Sequence, residues 1–404
     1  MSRILFAVLV AGMVNAWTPR RVSGVEFVNP SAGFVARAPF AFPASALVGG
    51  IAYSPEGHPI IYENESGEIR LHGPESTPVL ARFEPPVFGS FIVPLPDGSG
   101  VIFGESTAGN LYTVPYSGTG AVLLDNIPLA FDFAIAPDGR GFASALESSF
   151  NQIVLADEDP ATAARVIVAG IPRFSGPLAF DDAGNLYYGT ADISAAFQQL
   201  VRFPAARVQA AVAGDPIDYA TEDLEVLADE IGGFYNLRWD RGQFYFTDLG
   251  FAVGQGGVYQ IDPERNYLVT PLALFAHPEG ILSPSYLAVH PGTVPYAAGA
   301  GPAGGTLLVS YANFSSVNSI AEIEPEVWFV RGRVNRDDTV DISDALALLQ
   351  HLFQGGAPPS PLEAGNTNND ASLDIADAVY LLQFLFQSGR PIPSPYPEPG
   401  PDPE

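Results

Sequence analysis

The sequence predicts a mainly β chain: a six-bladed β-propeller, with room for a seventh blade, followed by a small α-helical domain built around two acidic loops. Three observations lead there. A strand–turn–strand phrase returns six times through the body of the chain, with starts separated by 40, 42, 45, 59 and 50 residues. Between Ala46 and Glu324 no long amphipathic helix interrupts the short β-rich runs. Near the end, a loop–helix phrase occurs twice at an offset of 33 residues.

The first element is Met1-Ser2-Arg3 followed by ILFAVLVAGMV, an apolar run short for a bilayer span, and then Val14-Asn15-Ala16. A basic start, an apolar stretch and small residues at a cleavage position form a secretory signal peptide, expected at 1–16 with cleavage after Ala16. A buried N-terminal strand is the alternative. Residues 17–45 form an N-terminal segment that can close the propeller, with Val22 to Val28 as the expected closing strand. No later stretch reads as a membrane span, so an extracellular, secreted protein is expected.

Composition narrows the classes further. The chain has 404 residues, 47% hydrophobic, with no cysteine and a formal net charge of −27. A large apolar core rather than disulfides must hold it. Such a polyanion gains nothing from counterion release on nucleic acid, which excludes that partner.

The propeller is expected over 46–328. Its phrase runs IAYSPEGHPIIYE from Ile51, FIVPLPDGSGVIFGE from Phe91, FAIAPDGRGFASA from Phe133, LAFDDAGNLYYGT from Leu178, LRWDRGQFYFTD from Leu237 and LAVHPGTVPYAAGA from Leu287. Each copy is a strand, a tight turn carrying glycine, and a second strand. One such unit cannot bury both faces of its sheet, so several must stack radially around a channel. A β-sandwich or β-helix is the alternative.

GQFYFTDLG followed by GGVYQIDP resembles blades of the NHL and strictosidine synthase/gluconolactonase superfamily. That resemblance, confined to single blades, implies a channel metal held by carboxylate and amide oxygens. Glu63, Glu105 and Asp248 end inner strands at nearly equivalent places and are the candidate carboxylates. Acidic residues solvating strand ends are the plainer explanation, and the superfamily's early Glu-Gly-Pro stretch is missing. Tyr187, Tyr188, Tyr235 and Tyr245 are candidates for stacking on carbohydrate, or for packing. The histidines lack ligand spacing, and neither G-x-S-x-G nor H-E-x-x-H occurs. Catalysis is therefore left open.

The helical domain is expected over 329–390, the boundary falling near Pro325 to Phe329. Calcium takes six to eight oxygens, which a 12-residue loop supplies from positions 1, 3, 5, 7, 9 and 12. The second loop places Asn366, Asn368, Asp370, Ser372, Asp374 and Asp377 there. The first places Arg333, Asn335, Asp337, Thr339, Asp341 and Asp344, with a cation where position 1 needs an oxygen. Position 6 favours glycine but holds Asp338 and Ala371. Weakened Ca²⁺ binding is expected, best in the second loop; solvated acidic turns without metal are the alternative. Leu346, Leu349, Leu352 and Phe353, and Val379, Leu382, Leu385 and Phe386, are expected to pack as two facing helical stripes.

The doubled spacing N-x-D-x-x-[VL]-D-I-x-D-A, each copy followed by LLQ-x-LF, resembles a dockerin type I module with EF-hand-like loops. The resemblance covers about residues 330 to 404 and implies a calcium-stabilised fold that docks onto a protein partner, in cellulosomes a cohesin. The Pro-rich tail at 391–404 is expected to be extended. These readings favour a secreted binding or scaffold protein. The alternatives are a carbohydrate-active enzyme (glycoside hydrolase or lyase) riding on its dockerin, and a metal-dependent lactonase-like hydrolase using the channel carboxylates.

Overall fold

The computed structural model describes residues 26–28, 34–40, 47–73, 76–147, 150–156, 161, 163–172, 174–191, 198–250, 254–277, 280–291, 306–313, 318–325, 329–335, 337, 339–359, 361–370 and 372–400. The signal-peptide expectation at 1–16 and both position-6 residues, Asp338 and Ala371, lie outside them. By internal packing the chain forms two compact units, one reaching Glu324 and the other beginning at Pro325.

The first unit holds six sheets, each with at least three successive antiparallel strands running in chain order from its innermost strand outward. The innermost strands are Val48–Tyr53, Gly89–Pro94, Ala130–Ile135, Leu178–Phe180, Asn236–Asp240 and Ser283–Val289. Each touches the next, and the sixth touches the first, so the ring closes at six blades. The 59-residue spacing conceals no seventh blade. It comes from an insertion in blade 4, made of helix α1 (Ala205–Val212) and a short strand, Ile217–Asp218, that pairs in parallel with the outer strand of blade 3.

The physical reason for the ring is visible along each strand. Phe91 and Ile92 are neighbours in sequence, yet Phe91 packs into the core between blades 2 and 3 and Ile92 into the core between blades 1 and 2. Alternate side chains leave a strand on opposite faces, so both faces need cover. Six apolar cores result, one between each pair of adjacent blades. Tyr187, Tyr188 and Tyr245 are buried in three of them, which fits packing rather than stacking on carbohydrate.

The closing strand also differs from expectation. Phe34–Phe40 completes blade 6 as its outer strand, beside Asn318–Pro325. Glu26–Val28, the described part of the predicted closing strand, pairs instead with Leu268–His277 at the edge of blade 5. Both runs are short and rich in apolar residues, and pattern alone cannot choose between two blade edges.

Candidate functional site

The second unit is organised around helices α2 (Ile342–Gln354) and α3 (Ile375–Gln387), each preceded by one acidic loop. Each helix starts with a reciprocal capping box, Asp341 with Asp344 and Asp374 with Asp377, which satisfies two otherwise orphaned N–H groups. Asp344 is fully buried and accepts from the amides of Val334 (2.6 Å), Asn335 (3.0 Å) and Asp341 (2.9 Å). Asp377, equally buried, accepts from Asn368 (3.2 Å) and Asp374 (2.9 Å). These carboxylates tie each loop to the start of its helix.

The remaining predicted ligands line the loops in matching order. Asp337 accepts from the Thr339 amide at 2.8 Å and the Asn335 side-chain amide at 2.7 Å; Asp370 accepts from Ser372 at 2.8 Å and Asn368 at 2.7 Å. Asp341 and Asp374 each accept an amide at 2.7 Å, from Ser343 and Ala376. The side-chain oxygens of Asn366 and Asn368 converge on the Asp370 amide at 3.1 and 3.0 Å. The second loop thus gathers an all-oxygen donor set at the predicted positions, which fits a hard cation by chemistry. Burial, with the charges of Asp370 and Asp374, pushes the Asp377 carboxyl above its ordinary range, a strain that a bound cation would relieve. The first loop contains Arg333 and fits less well. Among the described residues, no group of three or more His, Asp or Glu side chains is drawn together as a ready-made metal cluster.

The helices pack by only half of the predicted stripes. Their shared core is Ala345, Leu348, Ala378 and Leu381, with Val334 and Ile392. Leu349, Leu352, Leu382 and Leu385 are half-buried at its margin. Leu346 and Val379 are exposed, and Phe353 and Phe386 are 65% and 64% exposed. Both helices are apolar on more than one side, so helical spacing fits two faces and cannot say which turns inward. Ile342 and Ile375 join the exposed set, so the outward apolar residues recur in pairs at the 33-residue offset.

The tail is docked rather than free. Phe329 and Gly400 exchange backbone hydrogen bonds at 3.0 and 3.1 Å, Ile392 is buried, and Tyr396 packs edge-on against Phe384. Arg331 is completely buried beneath this segment. Its guanidinium donates to the carbonyls of Ser394 (3.0 Å), Glu363 (3.1 Å) and Asn366 (2.7 Å). A proline-rich strand offers carbonyls and few N–H groups, so it needs a donor-rich partner, and arginine brings five N–H bonds. Nothing in the local sequence marked Arg331 for that role.

In the propeller, Glu63, Glu105 and Asp248 lie at the ends of second strands, one strand outward from the ring, and they do not meet. Glu105 is buried and accepts from the amides of Thr107 (3.1 Å), Ala108 (2.7 Å) and Asn110 (3.3 Å), holding its own turn. Asp248 accepts from the Gly250 amide at 2.8 Å, and burial lifts its carboxyl to about 6. Glu63 takes the Ser66 hydroxyl at 3.2 Å. The candidate channel carboxylates are therefore three separate turn caps rather than a convergent set.

Sequence reasoning missed what does occupy the ring. Buried Asp132, on the innermost strand of blade 3, pairs with Arg238 of blade 5 at 3.2–3.3 Å and accepts the Leu178 amide from blade 4 at 3.2 Å. Tyr235 stacks edge-on between Phe131 and Tyr286, and the Tyr286 hydroxyl donates to the Gly89 carbonyl at 3.1 Å. The ion pair joins residues 106 apart in sequence, beyond the reach of any local motif.

No family model and no curated protein matches the sequence. Solved structures match it over about three quarters of its length. The PQQ-bound aldose sugar dehydrogenase from Streptomyces coelicolor is 15% identical with a TM-score of 0.49, over 74% of this chain and 99% of that one. A putative gluconolactonase is 16% identical with a TM-score of 0.46, over 75% and 98%. Regucalcin from Agrobacterium tumefaciens, a calcium-binding protein, is 18% identical with a TM-score of 0.47, over 73% and 96%. At such identities the likeness concerns architecture and does not reach activity or ligand.

Proposed function

We propose that this chain is an exported β-propeller binding or scaffold protein whose C-terminal module docks, in the presence of calcium, onto a protein partner of the cohesin type. The observation that carries the reading is the doubled apolar face: Ile342, Leu346 and Phe353 on α2, and Ile375, Val379 and Phe386 on α3, exposed at matching positions. Large apolar side chains left in water in a repeated arrangement mark an interaction surface rather than a core. They stand on helices whose N-termini are fixed by the two acidic loops, so ions in the loops would hold the docking face in shape. Export is supported by the N-terminal apolar run and the small residues that follow it.

The alternatives have less behind them. The lactonase reading needs channel carboxylates free to ligate, and Glu105 and Asp248 are engaged in their own turns. The carbohydrate-active reading has no residue constellation of its own, and three of its candidate tyrosines are core residues. The test is capture of the full chain by a panel of immobilised type I cohesin domains, in calcium and in chelator. Capture that chelator abolishes, and that Phe353→Ser with Phe386→Ser weakens, supports the proposal. Equal retention with and without calcium, or no retention by any cohesin, overturns it.

A further inference from the structure

We infer that the first of the two loops is not a calcium site: it keeps its shape without metal, with Arg333 supplying the positive charge, and it leaves the second loop as the module's single site. The inference rests on the calcium-module reading and narrows it. At the 33-residue offset the ligand residues Asn335, Asp337, Asp341 and Asp344 recur unchanged as Asn368, Asp370, Asp374 and Asp377. The differences lie around them: Arg333 becomes Asn366, Ser343 becomes Ala376, Thr339 becomes Ser372, and Arg331 becomes Ala364.

The differences at Arg333 and Ser343 bear directly on an ion. Position 1 must give the ion an oxygen, and asparagine has one. Arginine carries only donors and keeps its charge at every working pH, so it cannot ligate and repels a cation. Arg333 is partly buried at position 1 of the first loop. The side-chain donors then close the first loop on itself. The Asn335 amide group reaches Asp337 and the Ser343 hydroxyl, both at 2.7 Å. The Ser343 hydroxyl donates to Asp341 at 2.6 Å, and the Thr339 hydroxyl lies 3.1 Å from Asp337 and 3.4 Å from Asp341. In the second loop Ala376 has no hydroxyl to offer, and Asp374 accepts the backbone amides of Ala376 and Asp377. Arg331, also from the first copy, reaches across to the carbonyl of Asn366 and fixes the backbone where the second loop begins. Both arginines belong to the first copy: one stands at position 1 of its own loop, and the other braces the start of the second.

The test counts ions and then asks which loop is ordered without them. Metal-stripped full-length chain is dialysed against calcium alone, as wild type, Arg333→Asp, Asp337→Asn and Asp370→Asn. The expected result is one ion removed by Asp370→Asn, unaffected by Asp337→Asn, and joined by one more in Arg333→Asp. An ion in the wild type that Asp337→Asn removes, or no gain in Arg333→Asp, overturns the inference. Hydrogen exchange in chelator gives a readout independent of bound metal. The amides of Asn335, Thr339 and Ser343 should exchange at least about tenfold more slowly than those of Asn368, Ser372 and Ala376. Arg333→Ala should erase the difference and Arg333→Lys should keep part of it. Equal exchange in the two loops refutes a metal-free first loop. A wild type and an Arg333→Asp variant that hold no ion in the module sink the calcium reading itself, while the exchange comparison still decides whether the first loop is ordered without metal.

Discussion

Glu105 in the propeller and Asp344 in the C-terminal unit are both buried carboxylates that gather several backbone amides, yet their surroundings differ. Glu105 closes a hairpin turn, with apolar blade cores on either side. Asp344 closes a loop whose other acidic side chains, Asp337 and Asp341, stay exposed beside exposed Ile342 and Leu346. A buried acid holding amides is therefore a structural device in both regions. What separates them is the oxygen and apolar surface left over once the local hydrogen bonds are made, and the second unit retains far more of it.

The sharpest way to break this contrast is at the ring. Asp132→Ala leaves the Arg238 guanidinium without its carboxylate, and unfolding in urea should show a loss of about 3–5 kcal/mol. A loss below about 1 kcal/mol would mean the ion pair is not part of what holds the inner strands, and the ring would become a candidate site again. In the second unit, Asp377→Ala strips the acceptor from the amides of Asn368 and Asp374. A cost of about 2–4 kcal/mol is expected in the helical part of the circular dichroism melt. An unchanged melt would contradict the capping role.

A smaller effect comes from pH. Burial raises the Asp248 carboxyl to about 6, against an unfolded value near the ordinary aspartate range. Between those values the folded state holds more protons than the unfolded one. The contribution of Asp248 is thus fully present at the acid end and lost as pH rises through about 6. It should amount to about 3 kcal/mol, and Asp248→Asn should flatten the stability profile over about pH 4 to 6. A profile that keeps its slope in the variant would place the titrating group elsewhere. The smallest change in stability should come from Phe353→Ser with Phe386→Ser, within about 0.5 kcal/mol for each substitution, because both rings are already in water. The same pair should weaken docking about tenfold or more, measured by surface binding.

The sequence carried the architecture well where the physics is local. Six recurrences of a strand–turn–strand phrase gave the blades, because a tight turn with glycine between apolar strands is written within about a dozen residues. The two loops were legible for the same reason. What escaped was set by long-range packing. Asp132 meets Arg238 only because the chain returns two blades later. Arg331 looks like an ordinary charged residue until the tail covers it. Phe353 and Phe386 fit a buried stripe by spacing, and only the helix pairing through Ala345, Leu348, Ala378 and Leu381 turns them outward. Glu63, Glu105 and Asp248 shared a position in the repeat, and that shared position reflects a repeated turn rather than a convergent site.

The most direct measurement is a calorimetric titration of metal-stripped full-length chain with calcium, followed by circular dichroism in the far ultraviolet, beside an Asp370→Asn control. The account predicts saturable heat and a gain in helical signal in the wild type, both lost in the control. Neither heat nor helical gain in the wild type, or the same response in Asp370→Asn, would contradict a calcium-dependent docking module at the C-terminal end of this chain.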